Sequence, residues 1–428
     1  MKNTLLATIL RTLSFFLRTA NLGNGTTWPG HIALILNPRF IEEVIREKQI
    51  IPIVVAGTNG KTTTARMLNT ILESDGKRVF QNDSGANLLN GIASALILNS
   101  EKGSTQSPLY VILEVDENAL PKLLKKISPR YLLLLNLFRD QLDRYGEVRT
   151  IAKHWQNSLL EADSSIEILG NGDDPQIVGI CTTLKQKVEY FGLTAGKKRR
   201  AEHTADSSYC PNCGAKLSYS SVQFSHLGEW KCTSCGLKRP QVFSEKISLP
   251  LSGSYNAYNG VAAYLTALKL GLQRNTILTG LSRVTPAFGR QELFVKDGKK
   301  VQLFLSKNPT GMNESLRAIK ELGGTYLLFV LNDRIPDGTD ISWIWDVDFE
   351  TLINNDNHIS VSGDRAYDMG LRLKYSHPTV KHVDTHETLN LAFPDILKKV
   401  PPDETLFVLP TYSAMLEVRK LLTGRKIL

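Results

Sequence analysis

Ile50-Ile51-Pro52-Ile53-Val54-Val55-Ala56-Gly57-Thr58-Asn59-Gly60-Lys61-Thr62-Thr63 decides the fold of this 428-residue chain. Its first seven residues form an unbroken apolar run, the pattern of a strand buried on both faces. Beyond the glycines, Ala65, Met67, Leu68, Ile71 and Leu72 are apolar at three- and four-residue spacing, and Gly76 ends the run, so a helix follows. A buried strand that turns through glycines into a helix surrounds a polyphosphate with backbone N–H groups and a helix N-terminus. Lys61 is expected to reach the outer phosphates and Thr62 to ligate Mg²⁺. Gly57, Thr58, Asn59, Gly60, Lys61, Thr62 and Thr63 are therefore the expected nucleotide-binding residues. Only Thr58 and Asn59 separate the two glycines, which makes the loop shorter than the common G-x-x-x-x-G-K-[ST] form. The bland alternative is a tight strand-to-helix turn with a coincidental lysine.

Outward from this loop, strand-like and helix-like segments alternate as in a parallel α/β sheet. Val111-Ile112-Leu113-Glu114-Val115-Asp116-Glu117 reads as an apolar strand emerging into acids, and Glu114 is the expected second Mg²⁺ ligand. Tyr131–Leu135 reads as another buried strand, delivering Asn136 and then Asp140-Gln141-Leu142-Asp143. Ile166–Leu169 follows, ending in Asn171-Gly172-Asp173-Asp174-Pro175, and Asn256 and Asn259 open a further helix. Near Gly289-Arg290 the first large domain ends, and a second α/β pattern runs through Val301–Leu305, Tyr326–Leu331, His358–Ser362 and Leu406–Leu409. The expected organisation is an N-terminal amphipathic helical segment (1–49), a P-loop central domain (50–296) and a smaller C-terminal α/β domain (297–428).

Apolar and charged fractions of 42% and 22% are those of an ordinary globular chain, and no run of 18 apolar residues is present to span a membrane. A formal charge of +9 favours an anionic partner. The densest basic run, Lys197-Lys198-Arg199-Arg200, reads as a solvated loop. At the N-terminus, Leu6, Ile9, Leu10, Leu13, Phe16 and Leu17 fall on one side of a helix whose other side carries Arg11, Ser14 and Arg18. Two readings stay open for it: packing on the protein's own body, and contact with a membrane surface. Arg11 and Arg18 interrupt the apolar stretch, so a secretory signal is not expected.

Cys210-Pro211-Asn212-Cys213-Gly214 and Cys232-Thr233-Ser234-Cys235-Gly236 are two C-x-x-C-G knuckles with the spacing of a four-cysteine zinc ribbon, inserted at about 205–240. Four protein thiolates leave no open position on the ion, so the expected Zn²⁺ is structural. Two disulfides are the alternative. Tyr219, Phe224, His226 and Trp230 lie between the knuckles with few cations, a poor pattern for a nucleic-acid surface. Cys181 has neither an adjacent histidine nor an elbow-like turn and reads as buried packing.

Taken in order, Gly57–Thr63, Asn136, Asp140–Asp143, Asn171–Pro175, Asn256 with Asn259, and Gly289-Arg290 resemble the ATP-binding central domain of the Mur ligases and folylpolyglutamate synthases. The resemblance covers residues 50 to about 295 and implies that ATP phosphorylates a carboxylate whose acyl phosphate an amine then attacks. It also implies that Asn259 reads adenine and Arg290 touches phosphate. Three features depart from those ligases. Gln141 stands where they usually carry histidine, and Ser306-Lys307-Asn308-Pro309 stands where they have aspartate and histidine before Asn-Pro. A counterpart of the carbamylated lysine of some members is missing.

With the cysteine insert and Asp337-Gly338-Thr339-Asp340-Ile341-Ser342-Trp343-Ile344-Trp345-Asp346, nearly the whole chain resembles the MurT family, the synthetase subunits of lipid II isoglutaminyl synthase. That resemblance implies a carbon–nitrogen ligase of peptidoglycan synthesis, in the cytoplasm or at the inner face of the cell membrane. It further implies amidation of the D-glutamate α-carboxylate of the lipid II stem peptide to D-isoglutamine. Ammonia would come from a GatD-like glutaminase, since such a glutaminase needs a cysteine nucleophile and histidine base that this chain does not offer. In the family an aspartate of the third domain orients the partner's catalytic histidine; here it is assigned to Asp340, with Asp337, Asp346 and Asp348 as competitors. The expected ligands are ATP, Mg²⁺ and structural Zn²⁺, with no nucleic acid. The rival functions are an amino-acid ligase of the Mur or folylpolyglutamate type and, from another class, a zinc-ribbon nucleic-acid-binding ATPase.

Overall fold

The structure is a computed structural model that describes residues 2–19, 27–82, 85–99, 108–139, 148–194, 207–376 and 383–424. The Asp140–Asp143 motif and the basic run Lys197–Arg200 lie outside the described residues.

Strands β1 (Ile50–Ala56), β2 (Arg78–Gln81), β3 (Leu109–Val115), β4 (Tyr131–Leu134), β5 (Glu167–Asn171) and β6 (Val188–Phe191) form a parallel sheet in the order β2-β3-β1-β4-β5-β6. Its continuous apolar runs are explained by packing on both faces. Val54 and Leu132 join one buried cluster, whereas Ile53, Val55 and Leu133 join the cluster on the opposite side. The chain order reverses at β1, whose neighbours are β3 and β4, and in open α/β sheets ligands bind outside the strand ends at such a switch point. Register brings the relevant ends level: Ala56 pairs with both Val115 and Leu134. The acids after β3 and Asn136 after β4 therefore converge on the loop after β1.

The cysteine insert is built on the antiparallel hairpin β7 (Leu217–Phe224) and β8 (Leu227–Cys232). A second sheet holds β9 (Arg290–Lys296), β10 (Lys299–Phe304), β11 (Tyr326–Val330), β12 (His358–Ser362), β13 (Val383–Thr385) and β14 (Thr405–Pro410), in the order β13-β12-β11-β14-β10-β9. Only the β9–β10 pair in it is antiparallel. That pair moves the boundary read at 297. Asp297-Gly298 is a hairpin turn, so β9 belongs to the second sheet although it precedes the boundary.

Helices Lys2–Thr19, Trp28–Leu36 and Phe40–Glu47 cover one face of the first sheet through Ala7, Leu10, Ala33, Phe40, Ile41 and Val44. The first helix corrects the sequence reading. Ile9 and Leu13, grouped with Leu10 on one apolar face, are exposed, and Ser14, placed on the polar side, is buried. The helix docks along Asn3, Ala7, Leu10 and Ser14. Asn3 fixes this seam, donating from Nδ2 to Glu43 Oε2 (2.7 Å) and accepting from Asn37 Nδ2 (2.9 Å). The side chains of Phe16, Leu17 and Arg18 lie outside the described set.

Candidate active site

Gly60 caps the helix Lys61–Ser74 with φ of 90°, and a Cβ there would stand 2.2 Å from Asn259 Oδ1. Glycine is required by both the conformation and the close approach. The loop is laced to the strand ends. Asn136 accepts the Asn59 N–H at Oδ1 (2.8 Å) and donates from Nδ2 to the Asn59 carbonyl (3.0 Å). Thr58 N–H bonds the Asn136 carbonyl (2.9 Å). Asn259, the expected adenine reader, is buried; its Oδ1 accepts from the Thr64 hydroxyl (3.2 Å) and its Nδ2 donates to Asn256 Oδ1 (3.3 Å). It braces the loop while also lining the cavity beside Gly60.

Lys61 is buried, with its ammonium donating to the carbonyls of Gly57 and Thr58 and pairing with Glu117 Oε2 at 3.2 Å. A buried cation without such a partner would be strongly destabilising. Glu117 in turn is held by its own backbone, whose carbonyl accepts from Trp155 Nε1 (2.8 Å). Glu114 is buried at the end of β3, and Asn82 clamps its backbone in both directions, at 2.8 and 2.9 Å.

These groups share one cleft of about 970 Å³. Thr62, Glu114, Asp116 and Glu117 line it from the central domain, while Arg290 and Lys307 line it from the side of the second sheet. Carboxylates and a hydroxyl are hard oxygen donors suited to Mg²⁺; the facing cations suit phosphate. Arg290 and Lys307 also line a second cavity of about 940 Å³, walled by Gly60, Asn259, Tyr255 and Phe224. Asn308 joins the domains there. Its Oδ1 caps the helix Pro309–Glu321 by accepting the Gly311 N–H (2.7 Å), and its Nδ2 donates to Asn59 Oδ1 (3.2 Å).

The Sγ atoms of Cys210, Cys213, Cys232 and Cys235 lie within 4.8 Å of one another. Tetrahedral Zn²⁺ with bonds of about 2.3 Å needs sulfur separations of roughly 3.8 Å, so the set fits. Gly214 and Gly236 both have φ of 77°, a left-handed conformation that closes each knuckle and favours glycine. Backbone N–H groups lower the Cys232 thiol and bring Cys235 down to about 6, favouring the thiolate that binds metal, whereas burial lifts Cys210 to about 11. Phe224, His226 and Trp230 are buried against the central domain rather than displayed. Phe224 packs on Phe138 (5.8 Å) and edge-on to Tyr258 (5.5 Å), which is how the insert supplies a wall of the second cavity.

Of the four acids considered in the third domain, Asp340 is exposed, its Oδ1 accepting the Ser342 N–H at 2.8 Å. Asp337 is buried and accepts the Ser413 N–H at 2.6 Å, and burial raises its carboxyl above the usual range. Asp346 pairs with Arg139 (3.4 Å), and Asp348 exchanges hydrogen bonds with Asn313 (2.9 and 3.3 Å). Asp340 is absent from the lining of the Lys61 cleft and faces solvent. Cys181 is buried, and desolvation pushes its thiol up to about 12, leaving it an unreactive thiol at neutral pH.

Residues 55–267 match the Mur ligase middle domain, and residues 305–415 match the MurT ligase C-terminal family. The MurT subunit of lipid II isoglutaminyl synthase (glutamine-hydrolyzing) from Staphylococcus aureus strain COL is 34% identical over 376 residues, covering 83% of this chain and 84% of the relative. The chain belongs to the MurT family. The MurT subunit from Streptococcus pneumoniae strain R6 is 33% identical over 436 residues, covering 95% and 94%. By name these relatives are synthase subunits and the matching C-terminal family is a ligase family, so this chain is a ligase. The fold extends beyond MurT proteins. A pseudomurein peptide ligase type C from Methanothermus fervidus aligns with a TM-score of 0.66 at 20% identity over 90% of this chain and 81% of that one. E. coli FolC, solved with DHPP and ADP, aligns at 0.57 and 16% over 90% and 92%.

Sequence reasoning favours Glu114 and passes over Glu117, although the first lies within the end of β3 and the second just past it. Which acid reaches Lys61 depends on where the strand stops, and it stops at Val115. Asn82 and Phe224 carry no local signal, because their partners lie far along the chain, Glu114 at 32 residues and Phe138 on another strand's exit loop. Asn308 before Pro309 is legible as a helix cap, but its bond to Asn59, 249 residues away, is not.

Proposed function

We propose that this chain is the synthetase half of a two-chain amidotransferase, converting the D-glutamate α-carboxylate of the lipid II stem peptide to D-isoglutamine. The observation that carries this reading is the cleft in which Lys61, Thr62, Glu114 and Glu117 oppose Arg290 and Lys307. ATP would sit with its phosphates on Gly57–Thr63 and its base toward Asn259 and Phe224. Thr62 and Glu114 would hold Mg²⁺, which when bound neutralises phosphate charge. Phosphoryl transfer of this kind needs positioning and charge neutralisation more than covalent participation. Lys61 meets the outer phosphates, and Arg290 and Lys307 steady the anionic groups across the cleft. A carboxylate oxygen attacks the γ-phosphorus to give an acyl phosphate and ADP. Ammonia then attacks the carbonyl carbon, loses a proton, and phosphate leaves.

A GatD-like glutaminase would supply the ammonia. Support comes from the inert Cys181 and from Asp340, which stands on the surface in the same stretch of chain as exposed Ile335 (86%) and Trp345 (51%), an apolar setting suited to a partner. On this reading residues 297–428 contact the glutaminase, and Asp340 orients its catalytic histidine. The four-cysteine insert would hold a structural Zn²⁺ and, through Phe224, shape the nucleotide pocket. The decisive assay is amidation of lipid II by the purified chain, with ATP and either ammonium or glutamine plus the glutaminase. Ammonium-supported amidation by this chain alone supports the reading; turnover only with a free amino acid as nucleophile would replace it with the amino-acid ligase.

A further inference from the structure

The first helix, Lys2–Thr19, is turned the wrong way round for a helix that serves only its own domain. Its docked seam carries Asn3, Ala7 and Ser14 beside Leu10, two of the four being polar. The larger apolar side chains Leu5, Ile9 and Leu13 recur every fourth residue on the solvent side, 65%, 54% and 43% exposed. An amphipathic helix normally buries such a stripe. Here the seam is fixed by polar atoms, with Asn3 bonded to Glu43 and Asn37, and those bonds hold the apolar stripe outward. Asn37 also ends the helix Trp28–Leu36, whose last residues, Ile35 and Leu36, are exposed as well.

Charge decides what covers this face. Residues 1–41 contain Lys2, Arg11, Arg18 and Arg39 and no aspartate or glutamate, the first acid being Glu42. Arg11 is committed to the Ile97 carbonyl (3.0 and 2.7 Å), so the charge left for a partner is that of Lys2, Arg18 and exposed Arg39. An apolar stripe within an acid-free segment that keeps this positive charge complements an anionic lipid surface, where the apolar side chains enter the acyl boundary and cations meet headgroups. We infer that the Leu5–Ile9–Leu13 face docks the chain on an anionic membrane, with the helix lying in the plane of the interface. No described helix is long and apolar enough to cross a membrane. Vesicle binding requires no turnover, so the inference stands or falls apart from the amidation chemistry.

The test is co-sedimentation of the full chain with phosphatidylcholine vesicles with and without phosphatidylglycerol, comparing the wild type with the Leu5→Gln/Ile9→Gln/Leu13→Gln variant. All three positions are exposed, so an unchanged melting temperature and circular dichroism spectrum are expected. The wild type should partition onto phosphatidylglycerol vesicles, and the variant should lose about tenfold or more in partitioning, as expected for removing apolar side chains from an interface; added salt should weaken the wild type. Absence of wild-type binding, or equal binding by the variant, overturns the proposal. Equal binding to pure phosphatidylcholine overturns the anionic surface. A wild-type dimer that the variant dissociates, without vesicle binding, assigns the face to a second copy instead.

Discussion

Lys61 and Asp340 are both charged, and both are assigned to the chemistry, yet their surroundings are opposite. Lys61 is buried and satisfied by two backbone carbonyls and Glu117, in a loop laced to Asn136, Asn259 and Asn308. Asp340 stands in solvent, its carboxylate steadied by one backbone N–H, while its neighbours Asp337 and Asp348 are tied within the domain. A group that acts on a ligand inside its own chain gains from preorganisation and exclusion of water. A group that completes another chain's site must wait at the surface, with its lone pairs available. On the proposed reading, the contrast separates a site that this chain completes by itself from one that a partner chain would complete.

Lys61→Ala should break the buried side most severely. Amidation with either nitrogen source should fall on the order of ten thousandfold, as when a charge-stabilising cation is removed from phosphoryl transfer; the circular dichroism spectrum should stay that of a folded chain, with a lowered melting temperature because Glu117 is left buried without its cation. Asp340→Asn should sharpen the contrast by dividing the two nitrogen sources. Glutamine-dependent turnover should fall on the order of ten thousandfold, in keeping with loss of a triad carboxylate, while ammonium-dependent turnover stays unchanged; equal loss with both sources would return Asp340 to the synthetase. Chelation of metal from the four-cysteine cluster should lower the melting temperature by several degrees in calorimetry and raise the KM for ATP, because Phe224 walls the nucleotide pocket from the same hairpin. The smallest effect belongs to Asn308→Ala, which removes one helix cap and the bond to Asn59. It should cost about 1 kcal/mol in denaturant unfolding and reduce turnover modestly, testing whether the buried site depends on the domain junction.

The legibility of these regions differs for a physical reason. The glycine-bearing turn after β1, the apolar strands and the gathering of the four cysteines are local in sequence, since strand, turn and knuckle spacing are set by consecutive residues; each is visible from composition and spacing. Register is not local: that Ala56, Val115 and Leu134 end level is what gathers the site, and it emerges only in the sheet. The first helix departs from its sequence pattern for the same kind of reason. Its periodicity is clear, but the buried face is chosen by Asn3, whose partners Asn37 and Glu43 come from elsewhere in the segment. The strand Arg290–Lys296 likewise joins the second sheet through a hairpin that a boundary drawn at 297 cuts.

The central claim is that ATP activates the substrate carboxylate and ammonia completes the reaction. The direct measurement uses lipid II carrying ¹⁸O in both oxygens of the D-glutamate α-carboxylate, incubated with the chain, ATP and ammonium, followed by mass analysis of the released phosphate. An acyl phosphate predicts one ¹⁸O in orthophosphate and one retained in the amide. Unlabelled phosphate alongside amidated product, or label appearing in AMP, would contradict it.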